Sequence, residues 1–394
     1  SVRNRNRKTD TSKYKQEMSN INVRSPYYIT TGTVTGLNST SIEIYIYTGA
    51  RITDRPSTPT YNLEGFAVNN EVTFEIGELV KDYVSQTFDG TYATGILWVD
   101  YRTTQTINGV AQTISGYTYR KAFNGYGYFE DGANPQNNSA VYISNDIILK
   151  LDDSPVVFAV DNSITASVAY LLNGEIVRTI NLAQSSLSTE QIRYITNGVN
   201  GADSFEDRVV FDGGSFENNI CIQGLEDEFI LMDCDSIHVT YSDGTFTRVK
   251  ILKVQNVEEC KYEPYKVTFV NKFGALQDIW FFKRSNKTLT TKKESFKRNI
   301  VSGASYSINK HQDTILTKQG SEKITLNTGY YPEDYNEVFK QLELSEECWI
   351  EIDFKTLPIN IASTSLAYKT QLNDKIINYT IEVEFANNTI NDIR

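Results

Sequence analysis

The last third of the chain constrains the fold most, because it interleaves strand signals with one compact helix. Tyr265 to Phe282 reads as two β-rich runs around a turn at Gly274. A second pair of runs, Ser363 to Lys369 and Ile376 to Phe385, is broken at Asn373-Asp374. Between the two pairs, Tyr331-Pro332-Glu333-Asp334 opens a segment that sets Tyr335, Val338, Phe339 and Leu342 on one helical face. Proline at the first helical position and carboxylates in the first turn mark its start and predict a helix near 332–344 packed on a sheet. Trp280, Trp349, Phe339 and Phe385 are assigned to the core of this region.

The rest of the chain extends the β pattern. Ser41 to Tyr47 alternates as a strand, Arg55-Pro-Ser-Thr-Pro59 is a rigid loop, and Thr60 to Leu63 is extended again. Ile76, Leu79, Val80, Tyr83 and Val84 then switch to a helical period of three and four. Strands resume at Tyr92 to Arg102 and Tyr117 to Phe123, with an Asn108-Gly109 turn between them. Asn173-Gly174 joins Ser167–Leu172 to Glu175–Ile180 as a two-residue hairpin, since this dipeptide tolerates the positive φ of a type I′ turn. Ser188-Thr-Glu-Gln191 makes a capping box ahead of Ile192 and Ile195, with Gly198 placed to end a short helix. Strand, turn, strand and short helix thus occur twice, as in a weak internal duplication. A third hairpin joins Ile237–Tyr241 to Thr245–Leu252.

These elements predict a mainly β chain of two to three tandem β-sandwich-like domains with a few short helices. The expected division is a basic arm at 1–25, β-rich domains at 26–150 and 151–262, and a β-rich domain with one helix at 263–394. A chain of 394 residues is too long for one small core, and 40% apolar residues give it ample material to bury. No window nears the roughly 18 apolar residues of a membrane helix, and the first residues lack the apolar core of a signal peptide. If complete apart from an initiator Met, the chain is therefore expected to be soluble, away from membranes and not exported by that route. Cys221, Cys234, Cys260 and Cys348 are widely spaced with no CxxC pair, which favours reduced, partly buried thiols over a zinc site.

Charge is split along the chain. Residues 1–25 hold seven Lys and Arg, Arg3, Arg5, Arg7 and Lys8 among them, against Asp10 and Glu17. This +5 arm leaves −16 for the remainder of a chain whose net charge is −11. A basic arm on an acidic body suits docking onto an acidic neighbour or nucleic acid, and equally a solvated tail. The acidic body itself disfavours nucleic acid, so that partner is expected only through the arm. A second basic run, with Lys283, Arg284, Lys287, Lys292, Lys293, Lys297 and Arg298 facing only Glu294, is an exposed loop or an assembly contact.

Candidate chemistry is thin. His238 falls inside a strand run and His311 in a polar stretch, and no GxSxG elbow or phosphate-binding glycine loop accompanies them. The cluster Glu226-Asp227-Glu228 with Asp233 and Asp235 reads first as a solvated turn and strand edge, with a calcium site or a carboxylate pair as the alternatives. Phe123-Asn-Gly-Tyr-Gly-Tyr-Phe129 offers Tyr126, Tyr128 and Phe129 as a stacking platform for a sugar ring, or an ordinary packed loop. No catalytic residue, metal site or cofactor is expected.

Several phrases carry a resemblance. Asn327-Thr-Gly-Tyr-Tyr331, Leu342-Glu-Leu-Ser-Glu-Glu-Cys-Trp349, Leu357-Pro-Ile-Asn-Ile361, Thr364 to Lys375 and Tyr379 to Ala386 resemble virion structural proteins of tailed phages of the kind that infect Bacteroidetes hosts. Arg24-Ser-Pro-Tyr-Tyr-Ile29, Tyr45-Ile-Tyr-Thr-Gly49 and Phe74 to Tyr83 are similar to the same group. The resemblance covers about half of the chain and implies a non-enzymatic subunit of the virion, in the tail tip, baseplate or a fibre-attachment ring. It implies other virion proteins as partners and a homo-oligomer, a ring or trimer. A glycan- or receptor-binding adhesin and a polysaccharide-degrading enzyme are the competing functions. Contact residues are expected in the arm (Arg3, Arg5, Arg7, Lys8) and in the second basic run (Lys283, Arg284, Lys292, Lys293, Lys297, Arg298).

Overall fold

The computed structural model describes residues 20–113, 116–136, 139–151, 154–161, 165–182, 192–196, 233–242, 247–363 and 376–390. The fold is mainly β with two short α-helices among these residues. It divides into two compact units, Ser1–Ser85 with Gly95–Asn138, and Gln86–Thr94 with Ser139–Arg394.

The first unit contains β1 (Ile21–Asn22), β2 (Tyr28–Thr30), β3 (Leu37–Tyr47), β4 (Tyr61–Phe66), β5 (Thr73–Glu75), α1 (Gly77–Lys81), β6 (Leu97–Ile107), β7 (Val110–Thr113) and β8 (Thr118–Phe123). The order β1-β8-β6-β3-β4, with β7 folded onto β6, makes one sheet, and β2 pairs with β5. Alternation along β3 and β6 sends Ile42, Ile44, Ile46, Leu97 and Val99 to one face, where Ile76 and Val80 of the expected helix cover them. Asn108 and Gly109 form the expected turn with φ of 48° and 79°, joining Ile107 to Val110. The opposite face carries Tyr45, Tyr47 and Trp98 beside Asp100. Asp100 is fully buried and accepts from the Tyr47 hydroxyl at 3.0 Å and from Arg55 at 3.4 Å, while the Arg55 guanidinium lies 3.7 Å from the Tyr117 ring centre. The sheet is thus covered on both faces, apolar on one and aromatic with arginine on the other.

The second unit begins with β9 (Ile147–Leu151), β10 (Val157–Asp161), β11 (Thr165–Leu172), β12 (Glu175–Leu182), β13 (Ile192–Thr196), β14 (Ser236–Ser242) and β15 (Thr247–Val257). Five of them order as β12-β11-β14-β15-β9, and β10 pairs with β13. Between the two sheets Val168, Tyr170, Ile237, Val239 and Leu252 meet Phe158, Val160 and Ile195. The Asn173-Gly174 hairpin forms as expected, with φ of 54° and 82°. The short helix at Ile192 does not: the segment is β13, with Ile195 opposite Phe158. Its β-branched and aromatic residues find a strand partner in Val157–Asp161, and pairing outweighs the upstream capping signal. Residues 188–191 and Gly198 lie outside the described residues, and the proposed duplication loses its second helix.

Eleven more strands follow: β16 (Tyr265–Val270), β17 (Leu276–Phe281), β18 (Lys283–Lys297), β19 (Val301–Ser302), β20 (Ser305–Tyr306), β21 (Asp313–Asn327), β22 (Tyr331–Pro332), β23 (Cys348–Ile352), β24 (Lys355–Ile361), β25 (Ile376–Ile377) and β26 (Thr380–Phe385). Seven order as β17-β16-β23-β24-β26-β21-β18. The helix α2 (Asn336–Glu343) lays Val338, Phe339 and Leu342 on this sheet against Val267, Phe269 and Ile279. It starts later than expected, since Pro332 is extended and pairs with Ile376, and a 3-10 turn at Glu333–Tyr335 leads into the helix. The hairpin at Gly274 is organised by Asn271. Its side chain accepts from the amides of Phe273 and Ala275 and donates to the Tyr142 carbonyl and Gln277. Phe339 is fully buried, Trp349 packs with Phe88, Val270 and Leu276, and Trp280 and Phe385 sit at the rim of the main core. Of the run expected from Ser363 to Lys369 only Ser363 is described, its hydroxyl accepting from the Glu382 amide of β26, whose ladders run to β21 and β24; residues 364–375 lie outside the described residues.

The boundary expected at 262 does not separate compact units. Ile148 of β9 packs in the core of the five-stranded sheet, while Ile147, Leu149 and Leu151 turn to the core of the seven-stranded sheet. Leu149 also donates its amide to the buried Tyr335 hydroxyl at 2.9 Å.

Candidate assembly interface

The second basic run is a strand and not a loop. β18 pairs with β21 over 15 residues on each side, from Lys283 opposite Asn327 to Lys297 opposite Asp313. Thr288, Thr290, Thr291 and Phe296 suit an extended backbone, as do Thr314, Ile315 and Thr317 on β21, where Thr314 lies opposite Phe296. Polar residues on both faces hid this in the sequence, because no apolar alternation marks a ribbon that leaves its core. The equal lengths of two Thr-rich runs flanking residues 298–312 were the available signal.

The hairpin has two halves. Near the body, β21 lies between β18 and β26, and its Ile324 and Leu326 are fully buried. At the root, Lys283 sits 2.7 Å from Glu259 Oε2, and the Glu259 carboxylate also accepts from the amides of Lys261 and Tyr262. The bond from Lys283, seconded by the Lys261 amide, holds Glu259 below the usual carboxylate range. Lys283 is therefore a structural residue. Leu289 lies across Gly320, where a Cβ would come within 3.0 Å of it.

Further out the ribbon stands clear. Every residue from Asn286 to Asn299, from Val301 to Asp313 and from Ile315 to Lys318 is exposed. Thr290–Lys297 alone spans about 26 Å at 3.3 Å per residue. Among the described residues β26 pairs with β21 at Lys323–Asn327, Thr389 bonds the Gly320 carbonyl, and β18 ends the sheet, so beyond Gln319 both backbone edges of the ribbon lack a ladder partner. Leu289, Phe296, Tyr306, Ile308, Ile315 and Leu316 are all at least 48% exposed, which is unusual for a segment this long without a partner. Leu316 is the extra residue at a bulge between Glu294 and Ser295. Lys292 faces Gln319, and Lys293 faces Lys318 directly across the ladder. Arg284, Lys292, Lys293, Lys297 and Arg298 are exposed along this ribbon. The apolar members of the set, Phe296, Ile315 and Leu316, were not singled out from the sequence.

The other expected contacts are placed differently. Arg3, Arg5, Arg7 and Lys8 lie outside the described residues. Tyr126 is buried: the Arg24 guanidinium covers its ring at 4.8 Å and Tyr128 meets it edge-on at 5.7 Å. Ser25 bonds Gly127, and Asn134 clamps both backbone groups of Tyr28, so this glycine-rich segment packs against the start of the chain. Phe129 stands fully exposed without Tyr126 beside it as a second open ring face, and the three-ring platform is not formed. His238 is a half-buried strand residue opposite Ala169 and Ile251, and His311 is exposed. Glu226, Asp227 and Glu228 lie outside the described residues, while Asp235 accepts from the Asn173 amide.

Cys234, Cys260 and Cys348 are free thiols, and burial pushes the Cys234 thiol up to about 11. Among the described residues no three His, Cys, Asp or Glu side chains gather as a metal group, and no helix is long and apolar enough to cross a membrane. The arrangement offers charge, open strand edges and apolar side chains, the materials of association. No protein-family model and no curated protein matches the chain.

Proposed function

We propose that this chain is a structural subunit of a tailed-phage virion, in the tail tip, baseplate or a fibre-attachment ring, and that it works by assembly contacts and not by catalysis. The observation that carries the reading is the basic ribbon of β18 and β21. A two-stranded hairpin is marginal in water by itself, and among the described residues the outer part of this one exposes apolar side chains and both backbone edges. Such a segment gains its stability from a neighbour. The phrase-level likeness to virion proteins supplies the context, and other virion proteins or further copies of the chain are its partners.

Light scattering after size exclusion at two salt concentrations tests the reading, together with co-sedimentation of purified protein and virion components. A closed ring or trimer that loosens in salt is the expected result. A salt-indifferent monomer of 44.7 kDa that binds no virion component overturns it.

A further inference from the structure

We infer that the outer ribbon docks on a second copy of this chain, at the acidic segment around the end of α2, so that copies join head to tail. The inference rests on the assembly reading above and names the two surfaces that meet.

Charge selects the partner. Beyond Lys283, residues 284–318 hold eight Lys and Arg against Glu294 and Asp313, a net of +6. Residues 333–353 hold eight Asp and Glu against Lys340, a net of −7. Two ribbons repel each other, so edge-to-edge pairing of like arms is opposed, whereas a ribbon and the acidic segment attract. Lys293 and Lys318 point the same way: directly opposed like charges destabilise a ladder until an anion lies between them.

The acidic segment has a matching need. Glu343, the last residue of α2, is half-buried, and its Oε1 is shut away from solvent with no hydrogen-bond partner among the described residues. Burial raises its pKa, as expected of a carboxylate lacking a cation. Leu344 beside it is 45% exposed, an apolar contact for a ribbon that carries Leu289, Ile315 and Leu316. In its own copy the outer ribbon is exposed on both faces, so it does not supply that cation to the same chain. Nucleic acid fits less well, because phosphates make no use of the exposed apolar side chains and a chain of net −11 repels them. Two different patches in contact make a heterologous interface, which closes as a ring or continues as a filament.

Full-length protein tests this with two charge-reversed variants, K292E/K293E/K297E and E343K/E346K, each checked by circular dichroism and weighed by light scattering across a concentration series. Each variant alone is expected to raise the apparent Kd of self-association at least tenfold. An equimolar mixture is expected to recover association, since the intact ribbon of one variant then meets the intact acidic segment of the other, and the reversed ribbon meets the reversed segment. Wild-type protein that associates while both variants do so equally well overturns the inference and leaves the assembly reading standing. A monomeric wild type that instead shifts a 30-base-pair DNA duplex, with the shift lost in K292E/K293E/K297E, overturns it in favour of nucleic acid. If either variant misfolds, the milder K293Q and E343Q decide by the same criteria.

Discussion

Lys283 and Glu259 fasten the root of the β18–β21 hairpin through a 2.7 Å ion pair, while the lysines ten residues further out have no such anchor within their own ladder. The hairpin is thus fixed where it leaves the sheet and free where it projects. Because the carboxylate of Glu259 is held below its usual range, the stabilisation is fully present above the unfolded value of about 4.3 and is lost as pH falls through the lowered folded value. Glu259→Gln removes this acid-side loss. Hydrogen exchange of the Lys261 and Tyr262 amides at pH 7 is expected to quicken severalfold in the variant, and unchanged protection would show that the backbone turn stands without the carboxylate.

Asn271 is fully buried and meets four partners, two of them the amides that define the Gly274 turn. Asn271→Ala leaves those amides without their acceptor and is expected to cost about 3 kcal/mol. Urea unfolding followed by tryptophan fluorescence measures it, and a loss below about 1 kcal/mol would mean that water replaces the side chain.

Phe339 is wholly enclosed by the sheet and lies 4.7 Å from the Tyr379 ring centre. Truncation to Ala opens a cavity at the centre of the α2 packing, with an expected cost of about 3 to 5 kcal/mol. Val338→Ala, one position away and equally buried, is expected to cost less in the same unfolding measurement.

Asp353 and Phe354 form the two-residue turn between β23 and β24 with φ of 48° and 59°, and the Phe354 side chain is fully exposed. A phenylalanine in the left-handed region is strained and packs against nothing here. Phe354→Gly is expected to raise the unfolding free energy by about 1 kcal/mol. A decrease would reveal a packing role for the ring.

Much of the fold was legible because several elements announce themselves locally. Asn108-Gly109 and Asn173-Gly174 specify turns of positive φ, and the stripe of Tyr335, Val338, Phe339 and Leu342 specifies one buried helical face. Ile192–Thr196 was misread as a helix because its partner, Val157–Asp161, lies more than thirty residues upstream, and a long-range ladder leaves no trace in a local period. The candidate interface was half legible. Its lysines stood out by charge, but strand structure in a ribbon exposed on both faces has no apolar alternation to betray it, and its exposed apolar side chains came to light only when Ile315 and Leu316 fell beside Ser295 and Glu294. Of the two readings of the glycine-rich tyrosines, the packed loop holds for Tyr126, although nothing near it in sequence foretells that Arg24 covers it.

The alternation along β9 has a practical corollary for anyone dividing this chain. Ile148 completes the hydrophobic filling of one sheet and Leu149 that of the next, so a cut after residue 262 deprives the downstream fragment of Leu149 and of the amide that meets Tyr335. Fragments 151–262 and 263–394 made separately would each be born with a missing piece, and the smallest piece of this unit able to stand alone must carry both sheets together.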